Sequence, residues 1–262
     1  MKLKKYLIKY TFEFVVIVIG ISASFWIDEW NINKTNRIQH IEDLKAVLND
    51  LKNDSIMFDN VQKKLDAGKL KINELLIDIE SFESKKISYL EYSSRIINKG
   101  FVYTNDTFFM TDASFKSLIS NSRINFFPEE IHTIMNKYYE SILKRVNDNN
   151  HMVDDITLKY YHDFHPFSMY YVNTLIDLGY SESEARASLP SQIDNKTKDR
   201  FNLYFKKSDI KEIYTSTYFL IRTSNLKNRI YKYNTQISEF KNHRDLISKR
   251  IHEHLRELVN TN

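Results

Sequence analysis

His162-Asp-Phe-His165 is the densest group of side chains in this chain that could do chemistry. Two histidines at i, i+3 on a helix can chelate a divalent cation, and Asp155 and Asp163 stand nearby in sequence. Pro166 ends any helix directly after the pair, and no third ligand stands at a diagnostic spacing. Capping or surface roles are therefore the reading, and no metal site is assigned. His252 and His254 are two residues apart, so they diverge on a helix; close to a helix end they complement its dipole. No Gly-rich phosphate loop, H-E-x-x-H or G-x-S-x-G pattern is present. The chain has no cysteine, which excludes disulfides, thiolate metal sites and cysteine nucleophiles. No residue is assigned a catalytic role, no cofactor is expected, and the chain reads as a non-enzyme. Tyr160, Tyr161, Phe164, Tyr170 and Tyr171, together with Phe167, form an aromatic cluster. It is a candidate ligand or partner patch, with core packing as its alternative.

A different kind of chemistry lies near the amino terminus, in Phe12 to Asn31, FEFVVIVIGISASFWIDEWN. This is the only long apolar run, and Glu13 is its only acid before Asp28. Phe14 to Ile27 spans about 21 Å as a helix at ~1.5 Å per residue, short of a hydrocarbon core of about 30 Å. Including Tyr6 to Glu13 completes a transmembrane helix over residues 6–27, with residues 1–5 ahead of it. Lys9 can snorkel to the surface or pair with Glu13 at i, i+4. Trp26 and Trp30 fit the far interfacial belt.

Lys2, Lys4, Lys5 and Lys9 precede the span, and Asp28 and Glu29 follow it. The positive-inside rule then places the amino terminus in the cytoplasm and residues 28–262 across the membrane. In a bacterial inner membrane that is the periplasm. A cleaved signal peptide is the rival, since lysines, an apolar core and Ser22-Ala23-Ser24 resemble its three regions. Glu13 within the apolar stretch, and a helical pattern running past the cleavage position, favour an uncleaved anchor. Glu13, Ile17, Gly20 and Ser24 share one helical stripe, and Gly20 and Ser24 make a small-xxx-small spacing. That stripe suggests helix–helix contact, with itself or a partner; the alternative is an interfacial acid paired with Lys9.

Glu13-Phe-Val-Val-Ile-Val-Ile-Gly20-Ile21, followed by Ile27 and Trp30-Asn31, resembles the start of an uncharacterised family of single-pass membrane proteins from Bacteroidota. Its members begin Gly-Glu-Ile, continue through Ile-Gly-Ile and reach Trp-Asn-Glu. Glu13, Gly20, Trp30 and Asn31 match; Phe12 and Ile32 depart from the Gly and the final Glu. A weaker echo lies at Phe115, Leu118 and Ser122, followed by Tyr138-Tyr139. The resemblance implies an anchor and carries no activity.

The elements around these residues read as helices. Four Gly and three Pro among 262 residues are too few for turn-rich β architectures. Leu44, Leu51, Phe58, Leu65, Ile72 and Ile79 repeat every seven residues, predicting a helix from about Asp28 to Phe82, with a bend at Gly68. A second row, Ile41, Leu48, Ser55, Gln62, Lys69 and Leu76, is polar in its middle, which points to one wall of a bundle rather than a free coiled coil. Leu226, Ile230, Tyr233, Ile237, Phe240, Ile247, Ile251, Leu255 and Leu258 predict a second long helix, from near Ser208 to about Val259. Between them the spacing predicts helices over 88–98 (ended by Gly100), 112–120 (capped by Asp112), 128–162 and 181–188. Phe101 to Met110 reads as irregular, and Pro190 to Lys198 as a polar loop.

The expected fold is all-α: a transmembrane helix continuing into a long-helix antiparallel bundle over 28–262. The net charge of +4 is spread among mixed signs with no long one-sign block, so nucleic acid is not an expected partner. The expected function is a membrane-anchored interaction or scaffold protein, homo-oligomeric or an accessory subunit. Alternatives are a periplasmic ligand sensor working through a membrane partner, and an ion-conducting oligomer lined by Glu13.

Overall fold

The computed structural model describes residues 2–100, 106–188 and 193–260, with the side chains of 2–9 and of 187 left aside. Among the described residues the regular structure is helical throughout. The first helix, α1, runs unbroken over Lys2–Glu83, so the apolar segment and the heptad segment are one helix. It passes through Gly68 without interruption of the helix. The other long helix, α10, covers Thr217–Asn260.

The stripe from Leu44 to Ile79 is the buried seam of α1, every member at most 3% exposed. The second row is not its companion: Ile41, Leu48, Ser55, Gln62, Lys69 and Leu76 are only half-buried. The companion row lies three residues on, at Val47, Asp54, Val61, Gly68 and Leu75, all buried. That offset is the a-to-d step of a heptad, whereas the row first read is the flanking e position.

The expected bundle over 28–262 divides into two compact units. Unit 1 is Met1–Asp50, Asp112–Thr133 and Ser248–Asn262. There α3 (Ala113–Ser120) buries Phe115 and Leu118, and α1 buries Leu44 and Val47. Asp112 sits at the N-cap without a side-chain cap bond and pairs instead with Lys116 at 2.7 Å. The free amide at the helix start is met by Asp50, which accepts from Ser114 N–H at 3.0 Å. A carboxylate from α1 thus does the capping work that the local residue does not. Arg123 pairs with Asp43 at 3.2 Å. Within this unit Arg37 donates to the carbonyl of Leu258 and His40 meets His254, which sets α1 and α10 antiparallel.

Unit 2 is Leu51–Thr111 and Ile134–Ile247. Its α1 and α10 segments are also antiparallel: Lys241 pairs with Asp59 at 3.6 Å and Asn234 donates to Asp66 at 3.0 Å. The helix α2 (Tyr89–Lys99) is capped by the Ser88 hydroxyl and ended by Gly100 at φ 61°, a conformation glycine adopts without a Cβ penalty. It is tied to α1 by Arg95 and Lys99 on the buried Asp78 carboxylate.

The run predicted over 128–162 is helical from Glu129 to Phe164, as α4 (Glu129–Asn136), a π-helical turn (Lys137–Ile142), α5 (Leu143–Lys159) and a second π-helical turn (Tyr160–Phe164). Each π turn carries a Tyr-Tyr pair. In a straight α-helix neighbours point about 100° apart, so two large rings in sequence diverge across the buried face. Tyr138 and Tyr139, and again Tyr160 and Tyr161, are all buried to 4% exposure or less on these wider turns. His165 N–H donates five residues back to Tyr160 at 2.7 Å, and α6 (Phe167–Asp177) starts after Pro166.

The short helix α7 (Glu182–Ala187) has a full capping box of Ser181 and Glu184. The expected loop to Lys198 is corrected: α8 covers Asn195–Phe205, with Asp194 accepting from Thr197 N–H at 2.7 Å. Residues 189–192 lie outside the described residues. The carboxyl-terminal run is two helices, α9 (Ser208–Thr215) and α10, parted at Ser216. Ser216 takes an extended conformation, and its hydroxyl accepts from Phe219 N–H at 3.1 Å, restarting the helix.

Candidate functional site

The apolar segment of α1 is the first place to look, because its chemistry is solvation. Among the described residues one helix is long and apolar enough to cross a membrane, and none of its apolar window is covered by the rest of the chain. Glu13, Gly20 and Ser24 lie on one stripe of it and are exposed. A Cβ placed on Gly20 would meet nothing within 4 Å. Trp26 and Trp30 lie on another face at 72% and 58% exposure, and the Lys34 ammonium sits 5.3 Å over the Trp30 ring. Trp30, Lys34, Arg37, Ile41 and Leu258 line a groove of about 510 Å³ in unit 1.

Beside that groove stands the His40–His254 pair, Nε2 to Nε2 at 3.1 Å. At this spacing one ring donates and the other accepts, so a single proton lies between them. Phe127 packs its ring edge to face with His40, 4.7 Å between centroids. Burial lowers the His40 pKa, helped by the facing His254 and opposed by Asp43. The sequence reading took His254 as structural and did not connect it to His40; only the α1–α10 register brings the two together.

The aromatic cluster lies in unit 2 and is mostly interior. Tyr160, Tyr161, Phe167 and Tyr171 are at most 4% exposed, and their neighbours include Phe201, Phe205, Tyr214 and Phe219. Tyr170 is half-buried and stacks on Tyr204 at 4.4 Å between centroids. Phe164 is half-buried and meets Tyr218 edge to face at 5.2 Å. Tyr160 and Phe164 border a cavity of about 360 Å³ that also takes in Lys159 and Arg222. Sequence reasoning missed Arg222 and Tyr218, although their i, i+4 spacing on a helix was there to be seen.

The two histidines of the His-Asp-Phe-His group part company. His162 is exposed beside Asp163 at 2.5 Å, while His165 is 1% exposed and its Nδ1 lies 2.8 Å from the Tyr214 hydroxyl. They do not converge on one point. Burial pushes the His165 pKa down to about 3. Between that value and the ordinary 6.5, the unfolded chain binds a proton that the folded chain refuses. Stability is therefore complete above about pH 7 and falls as pH drops through 6.5, by about 1.4 kcal/mol per pH unit from this residue. His40 adds to the same direction. Denaturant unfolding should give a free energy lower by about 2 kcal/mol at pH 5 than at pH 7, and His165→Asn should remove most of that difference. A difference that survives at full size in His165→Asn would assign the pH dependence elsewhere.

Among the described residues the fold is all-helical, with one helix long and apolar enough to cross a membrane, and this defines the class. The family model DUF6090, a family of unknown function, matches residues 13–175, more than half of the chain, and this protein belongs to that family. The match begins at Glu13 and covers the apolar segment, the heptad helix and the run through both π turns. Neither a curated protein nor a solved structure matches the chain.

Proposed function

We propose that this protein is a single-pass, membrane-anchored helical scaffold, associating through its span with a second copy or with a membrane partner. Its amino terminus lies in the cytoplasm and the helical units lie across the membrane, in the periplasm of a bacterial cell. One observation carries the reading: the heptad seam of α1 is buried inside the chain, whereas the apolar segment on the same helix is covered by none of the described residues. An uncovered helix of that length is stable in hydrocarbon, where its backbone bonds are internal. The charge asymmetry of the flanks supports the orientation. An acid within a span is costly away from the interface unless it faces protein or water, and Gly20 and Ser24 permit close helix approach on the Glu13 stripe.

The reading is tested by crosslinking the protein in its own membranes. The wild type should give a discrete adduct that Gly20→Leu abolishes and an outward Ile19→Leu leaves intact. An adduct of equal yield in Gly20→Leu would remove the stripe from the interface.

A further inference from the structure

The cavity at the second π turn holds an uncompensated cation. Arg222 on α10 lies with its guanidinium carbon 4.8 Å from the centre of the Phe164 ring and 4.5 Å from that of Tyr218. The two rings stand at 78° to each other, 5.2 Å between centroids, and the guanidinium lies against both. One of its nitrogens donates to the Tyr218 hydroxyl, its Nε has no hydrogen-bond partner, and among the described residues it makes no ion pair. The other charges at the cavity cancel, since Lys159 pairs with Asp155 at 2.9 Å. Ile156, Tyr160 and Phe164 supply an apolar wall. The Tyr160 hydroxyl is already engaged by Thr223 at 2.9 Å, so that wall offers no competing polar group. At about 360 Å³ the space is at the small end of the range for ligand pockets, roughly 300–1,000 Å³.

A planar cation held by two rings, with donors to spare beside an apolar wall, matches a carboxylate on a flat hydrophobic body. The π turn is what presents Phe164 to α10, and such turns recur at functional sites. We propose that this cavity binds a small organic carboxylate: the guanidinium takes the carboxylate and the Ile156–Phe164 wall takes the apolar part. The inference stands independently of the membrane reading, because all of its residues belong to unit 2.

Calorimetric titration of the full-length protein in detergent tests it, with benzoate and 3-phenylpropionate as probes and benzyl alcohol as the uncharged match. At least one of the carboxylates should bind saturably and benzyl alcohol should not. Arg222→Gln should weaken carboxylate binding roughly tenfold or more, the loss of a charge-assisted hydrogen bond, and Arg222→Lys should not restore it. Asn225→Trp, which fills the cavity from its exposed side, should abolish binding with helicity unchanged, and it serves if the Arg222 variants do not fold. No binding of either carboxylate, equal binding of benzyl alcohol, or undiminished binding to Arg222→Gln or Asn225→Trp would overturn the proposal.

Discussion

Tyr233→Phe lowers the unfolding free energy by about 2–4 kcal/mol, although it removes a single oxygen from a residue that stays buried. The reason lies in the non-helical segment that follows the undescribed residues 101–105. Residues 106–110 have no helical ladder, yet Phe108 is 1% and Met110 9% exposed. Buried backbone groups outside a helix need partners from side chains. Phe108 N–H donates to the Tyr233 hydroxyl at 2.8 Å, and its carbonyl accepts from the Asn150 amide at 2.8 Å. The Tyr233 hydroxyl in turn donates to the Asn150 oxygen at 2.7 Å, closing the ring of bonds. Deleting that hydroxyl strands a backbone donor and an amide oxygen at once, each worth about 1–3 kcal/mol when unpaired. Denaturant titration of the full-length protein checks the size of the loss. Tyr231→Phe is the control: Tyr231 is 60% exposed and offers only its ring to Lys69, so its effect should stay within about 0.5 kcal/mol. Equal effects at the two positions would mean that the buried ring of bonds contributes nothing particular.

Deleting residues 1–27 moves the protein from the membrane fraction to the soluble fraction and leaves its helical units folded. The apolar window contributes nothing to the core, and from Tyr10 onward the first buried side chain of α1 is His40. Residues 10–27 are exposed throughout, so the thermal midpoint should shift by no more than a few degrees, the ordinary effect of a change outside the core. Fractionation after carbonate washing, followed by circular dichroism of the released chain, reads both halves. A truncated chain that still sediments with membranes would locate the attachment in the helical units. One that loses its helicity would show that the segment is part of the fold rather than an anchor on it.

These two results bear on different layers of what the sequence discloses. The buried seam of α1 was legible because Leu44, Leu51, Phe58, Leu65, Ile72 and Ile79 are apolar at every step. Its companion row was not, because Asp54 and Gly68 interrupt it; Asp54 is buried since it accepts from Thr111 N–H at 2.8 Å, a partner that no periodicity reveals. The helix α8 escaped for a similar reason: Asn195 to Arg200 is polar throughout, and its large inward residues Phe201, Tyr204 and Phe205 crowd the far end. The break at Ser216 leaves no mark in the apolar spacing of α10. The Tyr-Tyr pairs were legible as aromatics, but adjacent buried residues also occur in plain α-helices, such as Ile96 and Ile97 in α2, so the pairs carry no mark of a π turn. In the candidate site Phe164 was named and Arg222 was not, because an arginine on a mixed-charge helix reads as solvated surface until the fold stacks it on a ring.

The native mass of the protein, solubilised gently from its own membranes and weighed by native mass spectrometry, tests the central claim most directly. The account predicts a discrete species heavier than one 31.4 kDa chain, either a multiple of it or a chain bound to a second membrane protein, and reduced to the single chain in Gly20→Leu. A monodisperse monomer with nothing bound, in the wild type as in the variant, would contradict the assignment of a scaffold that works through its membrane helix.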